Sequence, residues 1–212
     1  MEDLPKKILK AFFMTGKSQI PYQAIVIGTS AGGLDALGII PPVLDSRLPV
    51  PILIVQHISA SSDSFIVAYF DRICKLSVKE AEEKELLKPG FVYFAPPDYH
   101  VLVEADRTIS LSNEEKVNYS RPSIDILFET ASWTFGNRLI GIILTGANWD
   151  GAAGSELVKK SGGLIIVQDP KTAAIARMPE SVLERIKPDY ILPLEEIGPL
   201  INRIFFPIPT QS

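Results

Sequence analysis

A serine, a histidine and an aspartate each stand just past the end of an apolar run in this sequence. The three residues, with the run that each one follows, are Ser30 after 24–27, His57 after 51–55 and Asp150 after 139–144. A hydroxyl, a base that takes its proton and a carboxylate that fixes the tautomer of the base are the groups of a nucleophilic triad. The residue types therefore indicate a serine hydrolase.

Each of these residues also has a purely structural interpretation. Ser30 is typical of a turn or a helix cap, His57 of a strand end, and Asp150 of an N-cap for the helix that follows it. If the three residues had unrelated structural roles, there would be no reason for all of them to stand at the ends of strands. We therefore favour a catalytic trio over coincidence.

The glycine-rich turn Gly28-Thr29-Ser30-Ala31-Gly32-Gly33 admits other functions. It lacks the lysine of a P-loop, and Ser30 stands where a dinucleotide fingerprint has its second glycine. Residues 28–32 do match Gly-x-Ser-x-Gly, the strained elbow that exposes a nucleophilic serine. An α/β-hydrolase places its histidine last, whereas here no histidine follows His100. A serine hydrolase of another parallel-sheet topology is favoured, and an anion or nucleotide site at the turn stays open as a weaker alternative.

Composition narrows the class of protein. The chain has 212 residues, 46% hydrophobic and 22% charged, which fits one soluble domain with a sizeable core. Its net charge of −4 argues against nucleic acid as a partner, and no apolar run approaches the roughly 20 residues that span a bilayer. One cysteine and two histidines are too few for a structural zinc site. We expect a cytoplasmic protein with no metal, no cofactor and no membrane insertion.

Strands and helices alternate along most of the chain, which predicts a three-layer, doubly wound α/β fold with helices on both faces of a mostly parallel sheet. The predicted strands of the main sheet are 23–27, 51–55, 139–144, 164–167 and 190–192. One predicted helix begins near residue 34, and the others cover 62–76, 123–132, 151–160 and 179–186. Three short strands within 90–111 predict inserted antiparallel hairpins. We expect residues 1–21 to be an N-terminal lead-in and residues 22–212 to be one catalytic domain. In such sheets the binding crevice lies outside the carboxyl ends of the strands, where the three residues stand.

Many segments, collinear from about residue 23 to about residue 194, resemble the catalytic domain of chemotaxis protein-glutamate methylesterases of the CheB type. The segments are 27–33, Gln56-His57, 79–81, Pro89-Gly90, 95–100, 121–125, 144–146, 150–152, Gln168-Asp169 and Met178-Pro179. The resemblance implies a cytoplasmic serine esterase of chemotaxis signal transduction that demethylates glutamate γ-methyl esters on methyl-accepting receptors and releases methanol. Related enzymes also deamidate receptor glutamines. The implied fold is a doubly wound, mostly parallel sheet with a small antiparallel piece.

The resemblance also assigns roles to residues of this chain. The nucleophilic serine of the family matches Ser30, its histidine base matches His57, and its aspartate matches Asp150. Backbone N–H groups in the glycine turn and in the third loop are implied to hold the oxyanion. We take Ala31 and Ala147 as the residues that supply them.

Two other polar residues near these segments have open roles. Arg121 is predicted to contact substrate or to brace a loop, and an ion pair with Asp125 is an equal alternative. His100 follows a Pro-Pro turn at the start of a predicted strand, and we interpret it as structural.

The chain departs from the family pattern in two places. The third loop reads Thr145-Gly146-Ala147-Asn148-Trp149, where the family usually has Thr-Gly-Met-Gly-x. Ala147 keeps the backbone N–H of the replaced methionine, while Trp149 adds bulk that would narrow the cleft or grip a substrate helix. The changed loop motivates an alternative function, a catalytically impaired docking module that keeps the fold. The family also commonly carries an N-terminal receiver domain. Since only about twenty residues precede the first strand here, we expect either a regulator that acts in trans or an enzyme that is constitutively open.

Overall fold

The computed structural model describes residues 22–57 and 65–207, so the predicted lead-in 1–21 lies outside the described residues. The strands of the described part are β1 Ala24–Thr29, β2 Ile52–Gln56, β3 Ser77–Glu80, β4 Phe91–Phe94, β5 His100–Val103, β6 Ile109–Ser112, β7 Leu139–Ile143, β8 Leu164–Gln168 and β9 Tyr190–Leu192. Its α-helices are α1 Gly33–Leu37, α2 Phe65–Ile73, α3 Ile124–Phe135, α4 Ala152–Lys160, α5 Arg177–Arg185 and α6 Leu194–Phe205.

Seven of these strands form one parallel sheet in the order β3-β4-β2-β1-β7-β8-β9. The strands β1, β2, β7 and β8 are buried at every residue, as their continuous apolar runs predict for strands covered on both faces. From β1 the chain winds outward through β2 and then crosses back to β7 on the other side. This reversal is the switch point of a doubly wound sheet, and it lies between β1 and β7.

Helices cover both faces of the sheet, which confirms the predicted three layers. Alternate residues of β1 point to opposite faces: Ala24 and Val26 belong to one apolar cluster, and Ile25 and Ile27 to the other. The first cluster includes side chains of α3, α4, α5 and the β5–β6 hairpin. The second includes side chains of α1, α2 and α6.

The predicted antiparallel hairpins of 90–111 are only partly correct. β5 and β6 form an antiparallel pair, but β4 lies in the main sheet, parallel to both β2 and β3. Val92, Tyr93 and Phe94 are all buried, because this short strand is covered on both faces. The edge strand β3 was not predicted, because its sequence, Ser-Val-Lys-Glu, has only one apolar residue and so shows no strand pattern.

Several element boundaries differ from the prediction. β1 continues to Thr29, where Gly28 and Thr29 pair with the last two residues of β2. Helix α2 ends at Ile73 rather than at 76, its predicted first residues lie outside the described part, and α6 was missed. The longer β1 makes Ser30 the first residue beyond the sheet.

Candidate active site

The end of β1 is tied to the end of β7, and this places Ser30. The carbonyl of Thr145 accepts hydrogen bonds from the N–H of Ser30 at 3.0 Å and from the hydroxyl of Thr29 at 2.9 Å. The N–H of Gly33 donates to the Ser30 carbonyl at 2.8 Å and closes the turn. The serine is therefore fixed by its backbone while its side chain is left available for chemistry.

The glycines of this turn are required by close packing. The amide of Gln56 donates to the carbonyls of Ser30 and His57, both at 2.9 Å, and so joins the ends of β1 and β2. A Cβ at Gly33 would lie 2.0 Å from Oε1 of Gln56, and Gly32 has a φ of +77° that favours glycine. Packing and backbone conformation account for both glycines without a phosphate ligand.

His57 leaves β2 beside Ser30 and is paired with Asp150. Its Nε2 lies 2.9 Å from Oδ2 of Asp150, with the imidazole 11% exposed and the carboxylate fully buried. Because a carboxylate only accepts, Nε2 is the donor in this contact, and in the neutral imidazole the lone pair then lies on Nδ1. The Nδ2 of Asn148 lies 3.5 Å from Nδ1. Among the described residues the Ser30 hydroxyl makes no hydrogen bond with His57, a contact that in such sites tightens with substrate.

Five donors surround the buried carboxylate of Asp150. They are Nε2–H of His57 and the N–H of Ile124 on Oδ2, and the Ser123 hydroxyl, the Asn118 amide and the Asp125 N–H on Oδ1. Two of these N–H groups open α3, whose positive end favours a negative charge. Burial raises the pKa of Asp150, but the hydrogen bonds, first that from His57, hold it below its ordinary value. Asp150 is therefore built to stay ionised.

Asp150 does not cap the helix that follows it, contrary to the structural interpretation of its position. The N-cap of α4 is Gly151, and Oδ1 of Asp125 accepts from the N–H groups of Gly151 at 2.9 Å and Gly154 at 2.7 Å. Asp150 thus accepts from the first turn of α3, on which Asp125 stands, and Asp125 accepts from the start of α4, which begins two residues after Asp150. Burial and the nearby charge of Asp150 raise the pKa of Asp125.

Asn118 connects the two aspartates and was missed at the sequence level. Its Nδ2 donates to Asp125 at 2.8 Å and to Asp150 at 3.1 Å, and its Oδ1 accepts from the indole N–H of Trp149 at 3.2 Å. These partners fix which end of the amide faces the carboxylates. An asparagine in a loop 32 residues from Asp150 carries no spacing signal that would have revealed this role.

We expect Asn118→Gly to lower kcat by about 10- to 100-fold, because removing a hydrogen bond to a buried charged group costs about 1–3 kcal/mol. Glycine tolerates the φ of +50° at this position, so the turn is retained and only the amide is lost. Steady-state kinetics on a small chromogenic ester measure the effect. Asn137→Ala, at an exposed asparagine, is the matched control, and a kcat equal to that of the wild type in Asn118→Gly would exclude a positioning role.

The predicted oxyanion donors lie on the loop that follows β1 and on the loop that follows β7. Ala31 follows Ser30, and its carbonyl accepts from the Thr145 hydroxyl at 2.9 Å; Ala147 is exposed. Within the described part of the chain, neither residue's N–H donates a hydrogen bond. Uncommitted N–H groups are what an oxyanion requires, and the role of both residues stays a prediction.

Arg121 braces a loop. Its Nε and Nη2 donate to Oδ1 of Asp98 at 3.0 and 2.7 Å, and its Nη1 donates to the carbonyls of Asn113 and Glu114. The alternative ion pair with Asp125 is wrong, since Asp98 is the partner. With its guanidinium so engaged, bracing is favoured over substrate contact.

The second histidine is structural, as its position predicts. His100 is fully buried, its Nδ1 accepts from the N–H of Ser123 at 3.1 Å, and its Nε2 donates to the carbonyl of Glu115 at 3.1 Å. It therefore supports the start of α3, on which Asp150 depends.

Within the described residues, no group of three or more His, Cys, Asp or Glu side chains is arranged so that it could hold a metal ion. No helix in residues 22–57 and 65–207 combines the length and apolar character needed to cross a membrane.

Comparison with known proteins gives consistent matches. The family model described as CheB methylesterase matches residues 25–201. A putative protein-glutamate methylesterase/protein-glutamine glutaminase of Leptospira interrogans is 54% identical over 183 residues, which cover 86% of this chain and 95% of the relative. The protein-glutamate methylesterase/protein-glutamine glutaminase of Thermotoga maritima is 37% identical, and the match covers 85% of this chain and 54% of that protein.

A solved structure agrees in fold. The crystal structure of the Thermotoga maritima CheB methylesterase catalytic domain superposes with a TM-score of 0.83 at 36% identity, covering 86% of this chain and 98% of that domain. The α/β architecture with its small antiparallel sheet is thus the architecture of that domain.

Proposed function

Since this chain belongs to the CheB methylesterase family, we propose that it is a serine hydrolase that demethylates glutamate γ-methyl esters on chemotaxis receptors. The observation that carries the proposal is the pairing of His57 Nε2 with Asp150 Oδ2 at 2.9 Å. Nδ1 then serves as the base, on a residue whose backbone N–H donates to Thr29, the neighbour of Ser30. The names of the relatives support an enzyme and give no support to a non-catalytic docking module.

The reaction is a two-step acyl transfer. Nδ1 of His57 takes the proton of the Ser30 hydroxyl as the Oγ attacks the ester carbonyl, and the N–H groups of Ala31 and Ala147 hold the oxyanion. The tetrahedral intermediate collapses, the C–O bond to the methoxy group breaks, and His57 returns the proton so that methanol leaves. His57 then deprotonates a water that attacks the acyl-enzyme, releasing glutamate and free Ser30. Asp150 holds the tautomer of His57 and stabilises the imidazolium that forms twice.

The substrate and its setting follow from the family. The esters lie on cytoplasmic helices of methyl-accepting chemotaxis receptors, so the enzyme works in the cytoplasm, and attack on the side-chain amide of glutamine by the same route would release ammonia. The chain spans 54% of the length of the Thermotoga maritima relative.

Methanol release tests the proposal directly. A receptor cytoplasmic fragment is methylated with a tritiated methyl donor, and we expect the enzyme to release volatile tritium in proportion to its concentration. A fragment whose methylated glutamates are replaced by alanine is the control and releases none. Release no faster than from the fragment without enzyme would refute the proposed function.

A further inference from the structure

A two-residue turn at the edge of the site holds a tyrosine in solvent. Val117 and Ser120 exchange both backbone hydrogen bonds, at 3.1 and 2.9 Å, and the two residues between them have φ values of +50° for Asn118 and +62° for Tyr119. Positive φ at both positions is the conformation of the type I′ turn, which favours Asn followed by Gly. Asn118 suits its position, whereas a tyrosine stands where glycine is preferred.

The Tyr119 side chain gains no visible packing in return for this conformation. It is 87% exposed, the highest value among the exposed large apolar residues of the described chain. A bulky residue in the left-handed region is an outlier, and such outliers concentrate at binding sites. The turn therefore holds an aromatic ring in solvent at a position whose backbone conformation favours glycine.

A second exposed aromatic residue is linked to the same turn. Trp149 is 49% exposed, and its indole N–H donates to Asn118, the neighbour of Tyr119. The same Asn118 amide donates to Asp150, which pairs with His57. We call Tyr119 and Trp149 the aromatic rim, and Asn118 connects this rim to the triad through hydrogen bonds.

We propose that the aromatic rim binds the polypeptide that carries the ester and that Tyr119 is a specificity-determining residue for protein-bound substrate. This inference rests on the proposed function. An ester group with its methyl is too small to cover two aromatic side chains, each of which buries 150–250 Å² when fully covered. The flanking residues of a polypeptide can cover both rings while the ester reaches Ser30.

The two rings of the rim carry no charge. Of the two cations that flank the turn, Arg121 is neutralised by Asp98 at 2.7 Å and by two carbonyls, and Lys116 is exposed. Uncharged aromatic surface suits the apolar stem and uncharged ester of a methylated glutamate. A methylated protein can cover the aromatic surface of the rim, whereas a small ester cannot. The rim thus distinguishes the two substrates in binding, while the triad hydrolyses both.

The test is Tyr119→Gly, which creates the Asn-Gly sequence that the turn prefers and removes only the ring. The kcat/KM for the methylated receptor fragment is divided by the kcat/KM for a small chromogenic ester. We expect this ratio to fall about tenfold, mainly through a higher KM for the receptor fragment. The thermal midpoint should stay level or rise, because the strained residue is gone.

Trp133→Ala is the matched control, because Trp133 is also an exposed aromatic residue, with 70% of its surface accessible. It lies on α3, nine positions after the first residue of the helix, Ile124, whose N–H donates to Asp150. Its ratio should equal that of the wild type. If methanol is released and Tyr119→Gly keeps the wild-type ratio, the rim inference is wrong and the proposed function stands. If the wild-type enzyme releases no methanol, the proposed function is wrong and the rim inference falls with it.

Discussion

Ser30→Ala is expected to lower the rate of methanol release by about 10⁶-fold, close to the rate without enzyme. In the proposed mechanism the Ser30 hydroxyl is the attacking group, and Ser30 directly follows β1 at the switch point. The backbone that positions residue 30 uses its N–H and carbonyl, which alanine retains. The variant should therefore fold like the wild type, and its circular dichroism and thermal midpoint should be unaltered.

Two further measurements make this expectation specific. A serine-directed phosphonate should label the wild-type chain once, at Ser30, and should leave the variant unlabelled. Adding His57→Gln to Ser30→Ala should slow the reaction no further, because nucleophile and base act as one unit. Ser110→Ala, on the hairpin strand β6, is the control for a serine outside the site. Labelling of the Ser30→Ala chain at another serine would place the nucleophile elsewhere.

The pairing of His57 with Asp150 could be predicted because it depends on the most readable part of the sequence. Strands buried on both faces appear as continuous apolar runs, and the carboxyl ends of parallel strands meet at one edge. Ser30, His57 and the loop of Asp150 each follow such a run. The structure places His57 and Asp150 in contact, as that logic requires.

The surroundings of the triad could not be predicted, because they depend on pairings between distant short segments. Asn118 reaches Asp150 across 32 positions and Arg121 reaches Asp98 across 23, and neither pair has a period or motif. The strand β4 was assigned to a hairpin because four apolar residues between turns do not reveal the direction of their neighbour. In this fold local pattern identifies the buried parallel strands, while loop chemistry emerges only from the tertiary arrangement.

Asp150→Asn is expected to lower kcat by about 10⁴-fold, somewhat less than the loss of the nucleophile. An amide has one accepting end, whereas both oxygens of Asp150 accept hydrogen bonds from buried donors. If the oxygen of the new amide accepts the hydrogen bonds from His57 and Ile124, its NH₂ group points at the NH₂ group of Asn118, and two donors face each other. In the reverse orientation the NH₂ group points at the Nε2–H of His57, which is also a donor. Either way the charge that stabilises the imidazolium is lost.

Asp125→Asn separates this catalytic loss from the loss of a helix cap. Asp125 caps α4 much as Asp150 caps α3, but its carboxylate accepts from Asn118, Gly151 and Gly154 rather than from His57. Both variants should lose stability, about 1–3 kcal/mol for each buried donor left without an acceptor. Only Asp150→Asn should lose kcat by orders of magnitude, and equal losses of kcat in the two variants would reduce Asp150 to a structural residue.

The pH dependence of stability gives an independent readout of the Asp150 charge. Its pKa in the folded protein lies below the ordinary value of 3.8, so the stability that its ionised form contributes is fully present above that value. That contribution disappears as the pH falls through the lowered pKa. The difference in unfolding free energy between wild type and Asp150→Asn, measured in urea, should therefore be constant near neutral pH and narrow below about pH 4. A difference that widened in acid would mean that Asp150 is protonated more readily in the folded state, and a neutral Asp150 could not support the imidazolium of His57.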